Sequence, residues 1–267
     1  MRSYLFLVLL AFSLLSSAVS AAPSPHAATA SKMTADQIVN RNVAARGGLK
    51  AWRAVHTLTM SGRLEAGGTK NSELPFVMKM KRPDMSRLEI RFEDKTALQV
   101  YNGKHGWKVR PYLGRNEVES FTPAEAKAAN EWQALDGPLV DYGKKGIKVK
   151  LLGMESVEGH KAYKLKLTMK NGAERNVWVD ASTFLERKID GEPRILDGKL
   201  RHVAIYYRDY KKEKGLTMPY VFETVVDGAK EPHKMYIERV AVNQAMDNDL
   251  FTKPQLPVAN ASTQQAR

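Results

Sequence analysis

The chain has 267 residues, a formal net charge of +13 and no cysteine. The missing thiols exclude a disulfide scaffold, thiolate metal sites and lipidation at a cysteine behind a leader. The basic balance raises nucleic acid as a partner, yet the lysines are scattered along strand-like segments instead of one basic helix or tail, so none is expected.

Arg2 followed by the apolar run Tyr4–Leu15 and the small residues Ser16–Ala22 reads as a secretory signal peptide, residues 1–21, because the run is too short to span a bilayer. The competing reading of that run is a membrane anchor. Export would make the rest a soluble periplasmic protein, not lipidated, and would argue further against nucleic acid. Without Arg2, 41 basic residues against 29 acidic ones leave +12. A surface of that sign suits either contact with anionic head groups or simple resistance to aggregation.

Residues 22–32 are small, polar and proline-bearing, a flexible lead-in. A helix is expected next. Thr34 and Gln37 have capping-box spacing, Ile38, Val39 and Val43 form a partial apolar stripe, and Gly47–Gly48 stop it. Leu49–Val55 adds another short helical turn or two carrying Trp52. From Leu58 onward the apolar period becomes two, with turns such as Asn102–Gly106 too short for parallel crossovers, so the strands are expected to run antiparallel. One helix interrupts them, with Thr122 and Glu125 at capping-box spacing and Pro123 at the first helical position. Strands then resume at Ile147.

About eleven strands with two helical regions predict a mainly β (α+β) domain over 33–254. It is a single curved antiparallel sheet forming an unclosed half-barrel, its concave face covered by a few short helices. Residues 255–267 read as a disordered tail. The hairpin at Asn171–Gly172 admits two registers. A two-residue turn pairs Leu165 with Trp178 and turns Val177 and Val179 toward the lysine side; a three-residue loop puts both valines on the apolar side and Trp178 outside.

Chemistry-bearing motifs are scarce. The six histidines stand at no metal-ligand spacing, and neither a nucleophile elbow nor a phosphate loop is present. Asp180 and Asp190 sit where turn acids usually do. No catalytic residue, metal or cofactor is therefore expected. What stands out is thioether and aromatic content on the apolar phase, a surface able to repack around variable ligands. Short helices cannot hide the face of some eleven strands, and incomplete cover leaves a cavity or an exposed patch. The cavity candidates are Leu58, Met60, Phe76, Met78, Met80, Leu88, Ile90, Phe92, Val100, Trp107, Trp132, Leu165, Leu167 and Met169.

The segments "TADQIVNRNVAARGGLKAW", "LTMSGRL", "LLGMESVEGHKAYKLKLT", "VWVDASTFLERKI", "YYRDYKKEKGLTMPYVFET" and "DNDLFTKP" occur in that order. Together they resemble the LolA-like superfamily of outer-membrane lipoprotein-sorting and carrier proteins. The resemblance implies an unclosed barrel of antiparallel strands around covering helices, holding acyl chains of lipoproteins or lipids between them. It implies a monomeric carrier without enzymatic activity, with passing contacts to an anionic membrane surface or envelope proteins. The superfamily also includes periplasmic stress sensors, so a periplasmic sensor or protein-interaction module that uses the same sheet is the alternative; an envelope hydrolase is a third. The arginine that latches the covering helix in the carrier has no local motif here, and Arg63, Arg87 and Arg91 leave that role open.

Overall fold

The computed structural model describes residues 33–65, 73–132, 135–196 and 198–255. The stretches expected to be a signal peptide (1–21) and a lead-in (22–32), and all of the expected tail but Gln255, lie outside the described residues. The first helix, α1 (Ala35–Ala45), begins as its sequence dictates: the Gln37 amide donates to Thr34 Oγ1 (3.2 Å) and the Thr34 amide to Gln37 Oε1 (2.9 Å). Gly47 ends it at φ +111°, where a Cβ would stand 2.2 Å from the Gly215 carbonyl oxygen. Only glycine allows that approach. A one-and-a-half-turn helix, α2 (Leu49–Arg53), follows and buries Trp52.

Among the described residues fifteen strands follow: β1 (Thr57–Glu65), β2 (Glu73–Lys81), β3 (Met85–Phe92), β4 (Lys95–Asn102), β5 (Gly106–Arg110), β6 (Arg115–Ser120), β7 (Lys148–Val157), β8 (His160–Thr168), β9 (Glu174–Asp180), β10 (Glu186–Asp190), β11 (Arg194–Leu196), β12 (Lys199–Arg201), β13 (Val203–Glu213), β14 (Leu216–Val226) and β15 (His233–Val242). Helix α3 (Pro123–Trp132) lies between β6 and β7, opened by the Thr122–Glu125 capping box.

Thirteen of the strands make one antiparallel sheet in the order β6-β5-β4-β3-β2-β1-β15-β14-β13-β10-β9-β8-β7. Two meanders meet at β1 and β15, and the edge strands β6 and β7 do not pair, so the sheet stays open. The count exceeds the expected eleven partly because β6 ("RNEVES") has one apolar residue and hence no alternation to read. β11 and β12 form a separate two-stranded hairpin, also unforeseen.

Register decides which face each residue occupies, because directly opposed residues share a face. Leu165 pairs with Val177 and Tyr163 with Val179, while Trp178 opposes Lys164. The loop is three residues: the Met169 amide donates to the Ala173 carbonyl (2.8 Å), and Gly172 takes φ +86°. Of the two registers open in sequence, this is the one with the valines inside. The apolar face then runs through Leu167, Leu165, Val177, Val179, Ile189, Met218, Ile237, Leu58 and Phe76, all buried in one core with Ile38, Val39, Val43 and Trp52. Leu135, Leu139, Val140 and Ile147, from the turn-rich segment after α3, complete that cover.

Candidate functional site

The cover lies over part of the inner face only. On β1, β2 and β3, Met60, Met78, Met80, Leu88 and Ile90 are half-buried, packed on the core but not enclosed by it. Leu88 shares its face with Gln99 and Lys108, and the Lys108 ammonium binds Glu125 of α3 at 2.5 and 2.6 Å. That pair ties α3 to the β5 end of the same face. A thioether-rich strip therefore lies between two helical supports.

Under the cover, beside this strip, is a cavity of about 200 Å³. Leu58, Met60, Met80, Ile189, Met218 and Phe222 supply its apolar wall, Leu135 and Pro138 its roof, and Arg46, Glu186, Tyr207 and Tyr210 one polar end. Tyr207 and Tyr210 are three apart in β13 and both reach the cavity because Asp209, between them, takes φ +52° and turns the strand.

The polar end is internally paired. Arg46, the C-cap of α1, places Nη1 3.2 Å from Glu186 Oε1 and 2.9 Å from the Asp136 carbonyl oxygen it donates to. Its guanidinium lies 4.5 Å from the Trp52 ring centre. Both charged side chains are under 10% exposed, at 8% and 7%. Arg46 Nε has no hydrogen-bond partner. The Tyr210 hydroxyl donates to the Glu186 carbonyl (2.9 Å). Burial, with the Glu186 charge adding to it, raises the hydroxyl pKa of both Tyr207 and Tyr210, so both stay protonated donors.

A second ionic group holds the roof. The buried Asp136 carboxylate accepts from Arg82 Nη2 (2.7 Å) and Lys145 Nζ (2.5 Å), and Lys145 also donates to the Gly137 carbonyl (2.6 Å). Burial lowers the Lys145 pKa, and Asp136 opposes that fall. Arg82 reaches further, to the Val55 carbonyl (2.7 Å) and the Trp52 carbonyl (3.0 Å). Arg82 and Arg46 thus fasten segment 135–146 to the helices and the sheet. Arg63 and Arg87 do not: they pair with Glu73 and Glu238, and with Glu89.

Of the residues expected at a cavity, Leu58, Met60 and Met80 line it. Phe76, Leu165 and Leu167 are buried core on the same face, and Met78, Leu88, Ile90 and Met169 pack partly buried against that core. Phe92 follows Ile90 in phase at the far end of β3, half-buried. Val100 and Trp107 are on the other face. Val100 opposes both Arg87 and Trp107, and the Arg87 guanidinium donates to the Leu250 carbonyl (3.2 Å) in the 3-10 turn Asn248–Phe251 folded over that face. Strand β4 is apolar on both sides, so alternation could not orient it. The Trp132 side chain lies outside the described residues.

The polar end was not legible in sequence. Arg46 reads as an ordinary helix-terminal cation and Glu186 as a strand-edge acid; only the pairing of β10 with β13 under α1 joins them. Asp180 is a turn acid. Its Oδ1 accepts from the Ser182 amide (2.9 Å), the Ser182 hydroxyl (2.6 Å) and the Thr183 amide (2.8 Å), and its Oδ2 from Arg187 Nε (2.5 Å). Among the described residues, no group of three or more His, Asp or Glu is placed to hold a metal.

A larger space of about 450 Å³ lies outside the cover, in a groove between α1, α2 and residues 139–144. It touches none of the thioether strip.

No family model and no curated protein matches the chain in sequence. Solved structures do match in fold. A LolA superfamily protein from Nitrosomonas europaea superposes at a TM-score of 0.56 with 16% identity, over 83% of this chain and 99% of its own. A DUF1329 family protein from Desulfovibrio piger gives 0.54 at 15%, over 83% and 98%. An outer membrane lipoprotein-sorting protein domain from Vibrio parahaemolyticus gives 0.52 at 12%, over 81% and 95%. The chain has a LolA-like fold.

Proposed function

We propose that this protein is a carrier that buries acyl chains of lipids or lipoproteins between its sheet and its helical cover, in the periplasm and toward the outer membrane, as a soluble monomer without catalytic activity. The observation that carries the reading is the cavity itself: a wall of Met60, Met80, Leu58 and Phe222, continuous with a half-buried methionine strip, closed by a segment held through ion pairs. Apolar transfer would drive capture at about 0.8 kcal/mol per methylene buried. At about 200 Å³ the cavity is smaller than the roughly 300–1,000 Å³ common for ligand pockets. A whole acyl chain therefore needs the roof to lift along the strip.

Hydrolysis is the weaker reading, because the cavity's charged groups, Arg46 and Glu186, are committed to each other and the hydroxyl beside them, that of Tyr210, donates to Glu186 and is held in its protonated form by burial. A protein-binding module draws support from the groove lined by Val39, Val43, Leu49, Leu139 and Tyr142. Native mass spectrometry of protein purified without detergent, followed by solvent extraction, separates the readings. Carriage is expected to give a discrete added mass that extracts as an acylated molecule. A clean apo mass, with no uptake of lipid or acylated peptide offered afterwards, would refute it and favour the protein-binding groove.

A further inference from the structure

The hairpin of β11 and β12 is unlike the other described connections of the sheet. It joins β10 to β13 beyond their last ladder contacts, at the end of the sheet where β1 ends and β15 begins. Ile195 opposes Leu200 and is 78% exposed; Leu200 is 73% exposed. No other large hydrophobic residue described is as open to solvent. Isolated two-stranded hairpins are marginal in water, and one that bares its apolar pair gains nothing from folding there.

The other face is cationic. Arg194 opposes Arg201 directly, with Lys199 beside them. Like charges across a strand pair repel. Among the described residues, none of these three cations has an ion pair, and Arg201 Nε is buried without a hydrogen-bond partner. Residues 194–201 hold three cations and a single acid, Asp197, within a chain already at +13.

From this juxtaposition we infer that the β11–β12 hairpin is a membrane-docking finger: Ile195 and Leu200 enter the interface of an anionic phospholipid bilayer while Arg194, Lys199 and Arg201 bind its phosphates. Paired apolar and cationic faces are what interfacial elements require, since apolar insertion and attraction to anionic lipid add. A folded protein partner would satisfy the apolar pair but would need a matching acidic surface, whereas the bilayer supplies both. The inference stands apart from acyl carriage, because a carrier could load without docking and a docking protein could carry nothing.

The test uses the whole protein with vesicles of phosphatidylcholine mixed with phosphatidylglycerol, and of phosphatidylcholine alone. Co-sedimentation with the anionic vesicles is expected at low salt, falling as added salt shortens the screening length. Ile195→Ser with Leu200→Ser should weaken it at least tenfold. Replacing Arg194, Lys199 and Arg201 by serine should cost about fivefold per cation, on the order of a hundredfold together. Because the chain lacks cysteine, Leu200→Cys carries a single environment-sensitive dye and reports insertion even if the serine variants fold poorly. Its emission should shift blue with anionic vesicles alone. Wild-type-like binding by well-folded variants, no dye shift, or a shift produced only by a protein partner would each overturn the inference.

Discussion

Arg46 carries a cation to the C-terminal end of α1, where the helix dipole favours it, and then buries it. With the side chains of Arg46 and Glu186 at 8% and 7% exposure, neither charge can turn to water if the other is removed. Glu186→Leu is therefore expected to destabilise the fold by about 3–5 kcal/mol, while Arg46→Met combined with Glu186→Leu recovers most of that loss. Urea denaturation of the two single variants and the double gives the coupling. A double variant no more stable than Glu186→Leu alone would mean that Arg46 matters through Trp52 and the Asp136 carbonyl instead.

At the level of elements, the contact between β1 and β15 makes one sheet of two meanders. Its ladder slips between Ser61 and Gly62, and a Cβ at Gly62 would sit 1.9 Å from the Tyr236 carbonyl oxygen. Backbone, unlike a long side chain, cannot swing away. Gly62→Ala should cost about 2–3 kcal/mol and lower Tm by about 5–10 °C for a domain of this size, read by calorimetry. An unchanged Tm would mean the seam opens without loss. The same element logic explains the hairpin after Met169, where a three-residue loop with Gly172 at φ +86° sets the phase of all of β9.

For the molecule as a whole, the point at issue is whether the space under the cover is a site or a packing defect. Met60→Trp places a larger side chain against the cavity while leaving the Arg46–Glu186 and Asp136 groups untouched. Uptake of a fluorescent fatty acid is expected to fall at least tenfold, about 1.4 kcal/mol in binding, with Tm within a few degrees of the parent protein. Undiminished uptake would place the acyl chain elsewhere, the exterior groove being the next candidate.

Local chemistry settled much of this protein without help from the fold. Capping boxes at Thr34 and Thr122 start their helices, paired glycines stop α1, and period-two alternation makes most of the strands and chooses Leu58, Met60 and Met80 for the inner face. Those signals act over a few residues, so a few residues are enough to read them. The tertiary structure decided the rest. Val100 and Trp107 go to the outer face because β4 is apolar on both sides and only its pairing with Arg87 orients it. Arg46 meets Glu186 across 140 residues of chain, and Arg82 meets Asp136 across 54. A buried ion pair has no local periodicity; it exists only once two distant elements have packed and excluded water from the space between them.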